Sequence, residues 1–196
     1  IRLSREIMDR LVDAYRKIRN TARYLLSNLD GFDADTDMVA VKDMPLIDRW
    51  AMNRLAGLIE RVTVGYETYD FAKVYKDVYL FCNEDLSSIY LDILKDRLYT
   101  SSAKAQKRRS AQTVLYYTVD SLTRLLAPIL CFTAEEMFLY SPKSKGARDT
   151  ASVHLLTWPK VEEVWKDAGA EEQLALLVEL RPYVLKALEG KRGEGL

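Results

Sequence analysis

The chain has 196 residues, with 29 Lys and Arg against 29 Asp and Glu, so its net charge at neutral pH is zero. A protein that coats nucleic acid through bulk charge is basic; that class is excluded, and any contact with RNA must come from local clustering. Hydrophobic residues make up 48% and charged residues 30%, which excludes wholesale disorder and allows one domain with a real core and at most a small appendage.

Residues 4–29 carry the pattern of an amphipathic helix. At 100° per residue, Ile7, Leu11, Ala14, Ile18, Ala22, Leu25 and Leu29 share one face. Ser4 is placed to cap its start, and Gly31 to stop it after Asp30. Residues 32–45 are acidic, with Asp33, Asp35, Asp37 and Asp43, and close on Pro45; they read as a loop without core residues. A second helix is expected from 46 to 68, on Trp50, Ala51, Leu55, Leu58, Ile59 and Val62. Asp70 looks like the cap of a third, running to Tyr99 through Val74, Val78, Phe81, Cys82, Leu86, Ile89, Tyr90 and Ile93.

Thr100 to Ala105 is a polar turn. A fourth helix is expected over 106–140, kinked or broken at Pro128. Residues 141–152 form a loop rich in Ser, Lys and Gly, and Val153 to Trp158 suggests a short extended segment. A last helix spans 171–189, interrupted at Pro182, before a frayed tail from Gly190. Long helices with almost no period-two alternation predict an all-α bundle of four to five long helices over 1–160. Residues 161–196 then form a C-terminal helix and tail leading toward a further junction. No apolar run is long enough to span a membrane, and no signal-peptide pattern opens the chain. It starts at Ile1 in mid-pattern, as a piece of a longer polypeptide would. Cys82 and Cys131 sit in apolar helical patterns and are expected to be buried free thiols, a disulfide being the alternative.

Little in the sequence suggests catalysis. There is one histidine, His154, expected to be structural, and no Cys-x-x-Cys pair, phosphate-cradling Gly-rich loop or His-Glu-x-x-His. The carboxylates are spread over helix surfaces as a solvated face would be, although pairing of two for acid–base work depends on the fold. Trp50, Trp158 and Trp165 suit packing better than base stacking.

Three cationic groups stand out. Arg16, Arg19, Asn20 and Arg23 lie opposite the apolar stripe of the first helix, and their i, i+3, i+4, i+7 spacing makes one ridge of donors. Guanidinium groups suit phosphate oxygens and base edges, and an amide suits either. An ordinary basic face, partly paired with Asp9 or Asp13, would carry the same pattern. Lys104, Lys107, Arg108 and Arg109 open the fourth helix, where the helix dipole disfavours cations by roughly 0.3–1 kcal/mol each. Either a bound phosphate or carboxylates from elsewhere must compensate. Lys95, Arg97 and Tyr99 close the third helix, where the dipole alone accounts for cations. Tyr99 can stack on an unpaired base or cap the core.

The chain also resembles the anticodon-binding domain of bacterial-type isoleucyl-tRNA synthetases, class I enzymes, over nearly its whole length. The matching stretches are Tyr15 to Arg23, Asp48-Arg49-Trp50-Ala51, Asp85-Leu86-Ser87 and Tyr90 to Tyr99. They continue in Arg108 to Thr113, Leu126-Ala127-Pro128-Ile129-Leu130, Phe132-Thr133-Ala134-Glu135-Glu136 and Ser152-Val153-His154-Leu155 with Trp158-Pro159. The resemblance implies a cytoplasmic parent, an ATP- and magnesium-dependent isoleucine–tRNA ligase of the translation apparatus. This stretch itself would have no catalytic residue, no metal ligand and no cofactor. The family's His-Ile-Gly-His and Lys-Met-Ser-Lys-Ser motifs do not occur in it, and a zinc-binding C-terminal module would need more cysteines.

Implied partners are isoleucine tRNA and the catalytic domain of the same polypeptide, in a monomer with no membrane contact. By position, the resemblance puts Arg19 and Arg97 where the anticodon is read, with Arg16, Asn20, Arg23 and Lys95 beside them. Arg108 and Arg109 become candidates for phosphate contact. Three alternatives stay open: a helical scaffold with little RNA contact, the equivalent domain of a valyl, leucyl or methionyl enzyme, and a free-standing enzyme.

Overall fold

A computed structural model describes residues 4–193. Helix α1 (Arg5–Ser27) begins where the Ser4 hydroxyl accepts the Ile7 amide proton at 3.3 Å. It ends slightly before the expected position, on the Asn28 amide, and Gly31 at φ 67° turns the chain, a left-handed conformation that costs glycine little. Its apolar stripe is covered unevenly. Ile18, Ala22 and Leu25 are buried, but Ile7 and Leu11 are 44% and 45% exposed.

Helix α2 (Leu46–Glu67) runs through the middle of the bundle, with Met52, Leu55, Leu58 and Val62 fully buried. It packs on α3 (Phe71–Leu80), on α5 (Gln106–Leu126) and on the start of α7 (Ala168–Gly193). The α2–α3 crossing is close at Gly65, where a Cβ would come within 2.7 Å of the Val74 side chain. Asp70 caps α3 by accepting the Lys73 amide proton at 3.0 Å. Beyond α3 the rod continues without a break through a π-helical segment, Phe81–Tyr90, into α4 (Leu91–Thr100). The Ser87 and Ser88 hydroxyls donate to the Cys82 and Asn83 carbonyls, five residues back, at 2.7 and 2.8 Å. Helix α5 contacts α1, α2 and α4, and α6 (Cys131–Tyr140) closes one side.

The fourth helix is broken at Pro128 as expected: α5 ends at Leu126 and α6 starts at Cys131, because Pro128 cannot donate to the ladder. Other expectations need correction. Cys131 therefore opens a helix and is exposed rather than buried; Cys82 is buried, and both thiols are free. Burial first, then the Asp85 charge, pushes the Cys82 thiol up to about 12. Residues 153–158 form no strand; Val153–Leu155 is a single 3-10 turn capped by Ser152. The loop at 32–45 does contribute to the core, through buried Phe32 and Met44.

Pro182 does not interrupt α7, which starts at Ala168 and runs to Gly193. Most residues around Pro182 are exposed, so water can take the carbonyl that the ring leaves unbonded. Of the tail expected to fray from Gly190, residues up to Gly193 are helical, and the rest lies outside the described residues. Trp50 and Trp165 are buried and the Trp158 indole donates to Thr63 at 2.8 Å, so the tryptophans pack, while His154 is exposed. Among the described residues no helix is long and apolar enough to cross a membrane, and no group of three or more His, Cys, Asp or Glu is placed to hold a metal.

Candidate nucleic-acid interface

The outer ridge of α1 faces water. Among the described residues Arg16 pairs only with Asp13, at 3.3 Å, with both side chains about 70% exposed, a geometry worth little in water. Asn20 and Arg23 are exposed and have no partner among the described residues. Arg19 reaches sideways to α6 and donates to both carboxylate oxygens of Glu136 at 2.9 Å. That hydrogen bond, together with the Glu136 charge, raises the Arg19 guanidinium still further above its ordinary range.

A groove lies on each flank of this ridge. The one between α1 and α6 has a volume of about 450 Å³; Arg19, Arg23 and Glu136 stand on it, with Leu26, Met137 and Tyr140. The other lies between α1 and the rod of the π segment and α4, with a volume of about 360 Å³. It is lined by Lys17, Asn20, Asn83, Ser87, Asp92 and Lys95. Lys17 donates across it to the Tyr79 hydroxyl at 3.0 Å and the Asn83 side-chain amide oxygen Oδ1 at 3.2 Å. Lys95 donates to Asp92 at 2.8 Å. That bond, with Arg181 also in contact, holds the Asp92 carboxyl below its usual range. Tyr99, 65% exposed, stands at the end of α4 beside Tyr24. Two grooves of mixed apolar and polar lining, separated by a ridge of cations and an amide, offer apolar surface to unstacked bases and donors to phosphates.

The remaining arginines behave differently. Arg97 is not on this surface. Its two terminal nitrogens grip Asp48 at 2.9 and 3.1 Å, with the Arg97 side chain 16% exposed and the carboxylate wholly buried. Asp48 also accepts the Tyr90 hydroxyl proton at 2.9 Å and the Ser110 hydroxyl proton at 2.6 Å. Burial and the Asp48 charge push the Tyr90 phenol well above its ordinary value. One carboxylate thereby ties together α2, the π segment, α4 and α5. The wider turns of the π segment delay the buried face by about one residue per turn, so Leu94 and Leu98 are buried and Ile93 is 43% exposed. Arg97 flanks that buried face, and its long side chain reaches inward to the Asp48 carboxylate.

Arg109 is also turned inward. It pairs with Asp37 at 3.1 Å, donates to the Gly31 carbonyl at 2.9 Å and Gln112 at 2.8 Å, and lies over the Phe32 ring. Arg108 is half-buried and donates to the Ser101 carbonyl at 3.2 Å. The two arginines at the start of α5 are thus compensated by a carboxylate, a side-chain amide and carbonyls of this chain. Lys104 and Lys107 remain exposed and without a partner among the described residues.

Three further groups emerge only in the fold. Asp48 stands out only as part of a motif, although Asp48, Ala51, Met52 and Leu55 have the spacing of one buried face, which marks an acid that needs partners. Arg54 bridges Asp85, at 3.1 and 3.2 Å, and Glu171 of α7, at 3.3 Å, and so ties the last helix to the bundle. Burial raises the Asp85 carboxyl although the Arg54 bonds pull it down. Lys17 lies off the arginine ridge, and only the groove reveals it.

The described residues thus form an all-α bundle with an exposed donor ridge on its first helix. The family model described as the anticodon-binding domain of tRNA ligase matches residues 48–194, and the chain belongs to that family. It is 50% identical over 192 residues to an isoleucine–tRNA ligase of Moorella thermoacetica, and 48% identical over 194 residues to one of Syntrophotalea carbinolica. With the enzyme of a Thermoanaerobacter species the identity is 44% over 189 residues. These alignments take in 97%, 99% and 96% of this chain and 20% of each relative. The chain thus spans about a fifth of the length of the curated relatives it matches. The resemblance to isoleucyl-tRNA synthetases carried by the motifs is borne out.

Proposed function

We propose that this domain binds the anticodon arm of isoleucine tRNA within an ATP- and magnesium-dependent isoleucine–tRNA ligase. The observation that carries this reading is the exposed donor ridge of α1 between two grooves, in a domain of this family. Arg16 and Arg23 take backbone phosphates. Arg19 and Asn20, at the mouths of opposite grooves, meet base edges, and Lys95 and Tyr99 extend the second groove. Arg97 acts as a positioning residue, fixing α4 through Asp48, and Arg108 and Arg109 fix the start of α5. Catalysis and any zinc module belong to other parts of the polypeptide, a cytoplasmic monomer, and the segment after residue 160 connects the bundle to the next part of that polypeptide.

Fluorescence anisotropy with isoleucine tRNA, and with the same tRNA bearing an altered anticodon, tests this at low and moderate salt. The expected result is binding that weakens steeply with salt and favours the correct anticodon. Salt-sensitive binding without preference would reduce the surface to one that positions the RNA backbone. No binding at low salt would overturn the proposal in favour of a scaffold.

A further inference from the structure

Helix α1 carries one apolar stripe but the bundle covers only part of it. Ile18, Ala22 and Leu25 are buried, whereas Ile7, Met8, Leu11 and Val12 are 42–45% exposed. These bare residues are not scattered. Met8, Leu11 and Val12 form one wall of an open groove of about 350 Å³, with Val74 and Val78 of α3 on its floor and Ile129 of the α5–α6 turn opposite. Val74 and Val78 belong to the main core, so the groove is the core surfacing at the N-terminal end of α1. Among the described residues no charged side chain lines it; its polar side-chain atoms are the hydroxyls of Tyr15, held by Thr133 at 3.0 Å, and of Tyr75. A phosphate backbone finds no cation there, so this is not an extension of the RNA surface. A contiguous apolar patch on a domain surface marks an interaction site.

We infer that this groove docks an apolar segment of the same longer polypeptide, from the four-fifths of the relatives' length that lies outside the region matched here. The inference rests on reading the chain as one domain of a tRNA ligase. Extra chain of that length supplies an occupant at high local concentration, so the groove need not bind a free partner tightly. The two surfaces share α1: Leu11 and Arg23 are about 18 Å apart along its axis at 1.5 Å per residue. The helix that meets the RNA is therefore seated at its other end on the rest of the enzyme, and docking fixes where the ridge points.

The test uses the full-length ligase carrying Leu11→Asp with Ile129→Asp, beside a control, Leu155→Asp, which alters an exposed leucine outside the groove. Two carboxylates facing an apolar segment should lower aminoacylation about tenfold, the equivalent of 1.4 kcal/mol. They should also open the junction between this domain and its neighbour to limited proteolysis, with the control unaffected. In the isolated chain the same double variant should keep its helical CD spectrum and whatever tRNA affinity the wild type has. Full-length charging and protease resistance equal to wild type would overturn the inference. So would a concentration-dependent dimer of the isolated chain that the double variant abolishes while the full-length enzyme stays intact, because the groove would then belong to a second copy. If the isolated wild type fails to bind tRNA, the proposed function falls, yet the proteolysis result still decides the groove.

Discussion

The ridge arginines of α1 and the arginines at the α4–α5 junction meet opposite surroundings. On α1, Arg16 and Arg23 stand in water, one weakly paired and one unpaired among the described residues. At the junction, Arg97 and Arg109 are 16% and 14% exposed and bound to carboxylates. A cationic cluster is a surface only where the fold leaves its charge unanswered. Where a buried acid answers it, the same residue type is mortar.

The largest effect is expected at Arg97. Arg97→Ala leaves Asp48 buried with only two hydroxyl donors, and removing one partner of a buried pair costs about 3–5 kcal/mol. Urea unfolding should show a loss of that size; a loss below about 0.5 kcal/mol, the usual range for surface substitutions, would put Arg97 back among the surface residues.

On the α1 side the expected effects are on binding. Arg16→Ala and Arg23→Ala should each reduce the salt slope of tRNA affinity by about one and weaken binding to correct and altered anticodons alike. Their unfolding free energies should stay within about 0.5 kcal/mol of wild type. An unchanged salt slope in both would remove the ridge from the RNA surface.

The smallest effect sharpens the intermediate case. Arg19 is surface-exposed but already paired with Glu136, so Glu136→Gln removes a competing charge and frees the guanidinium. An increase in tRNA affinity of about two- to threefold is expected, in line with the weak energetics of exposed pairs. A decrease would mean that Glu136 itself takes part in recognition.

Much of the architecture was legible in the sequence because helices announce themselves locally. The start of α1 at Ser4, the cap at Asp70, the polar turn before Gln106 and the break at Pro128 all follow from residues within one turn of the event. The donor ridge on α1 was legible for the same reason: Arg16, Arg19, Asn20 and Arg23 share a face by spacing alone. The role of the acids was not. Asp37 lies in a loop that suggested no packing, yet it answers Arg109 from a distant part of the chain.

The sequence by itself determined an all-α bundle, its family motifs and which residues of α1 oppose the apolar stripe, since each depends on period and local chemistry. Tertiary structure alone decided how deep each face sits. The π segment rotates α4 so that Ile93 turns outward and Leu94 inward, a buried Asp48 draws the Arg97 side chain into the bundle, and α6 supplies the carboxylate that holds Arg19. The bundle covers α1 from about Ala14 onward and leaves Leu11 bare. Periodicity fixes the direction of a side chain about its own axis, but whether that direction meets water, a carboxylate or another helix depends on neighbours far away in the chain.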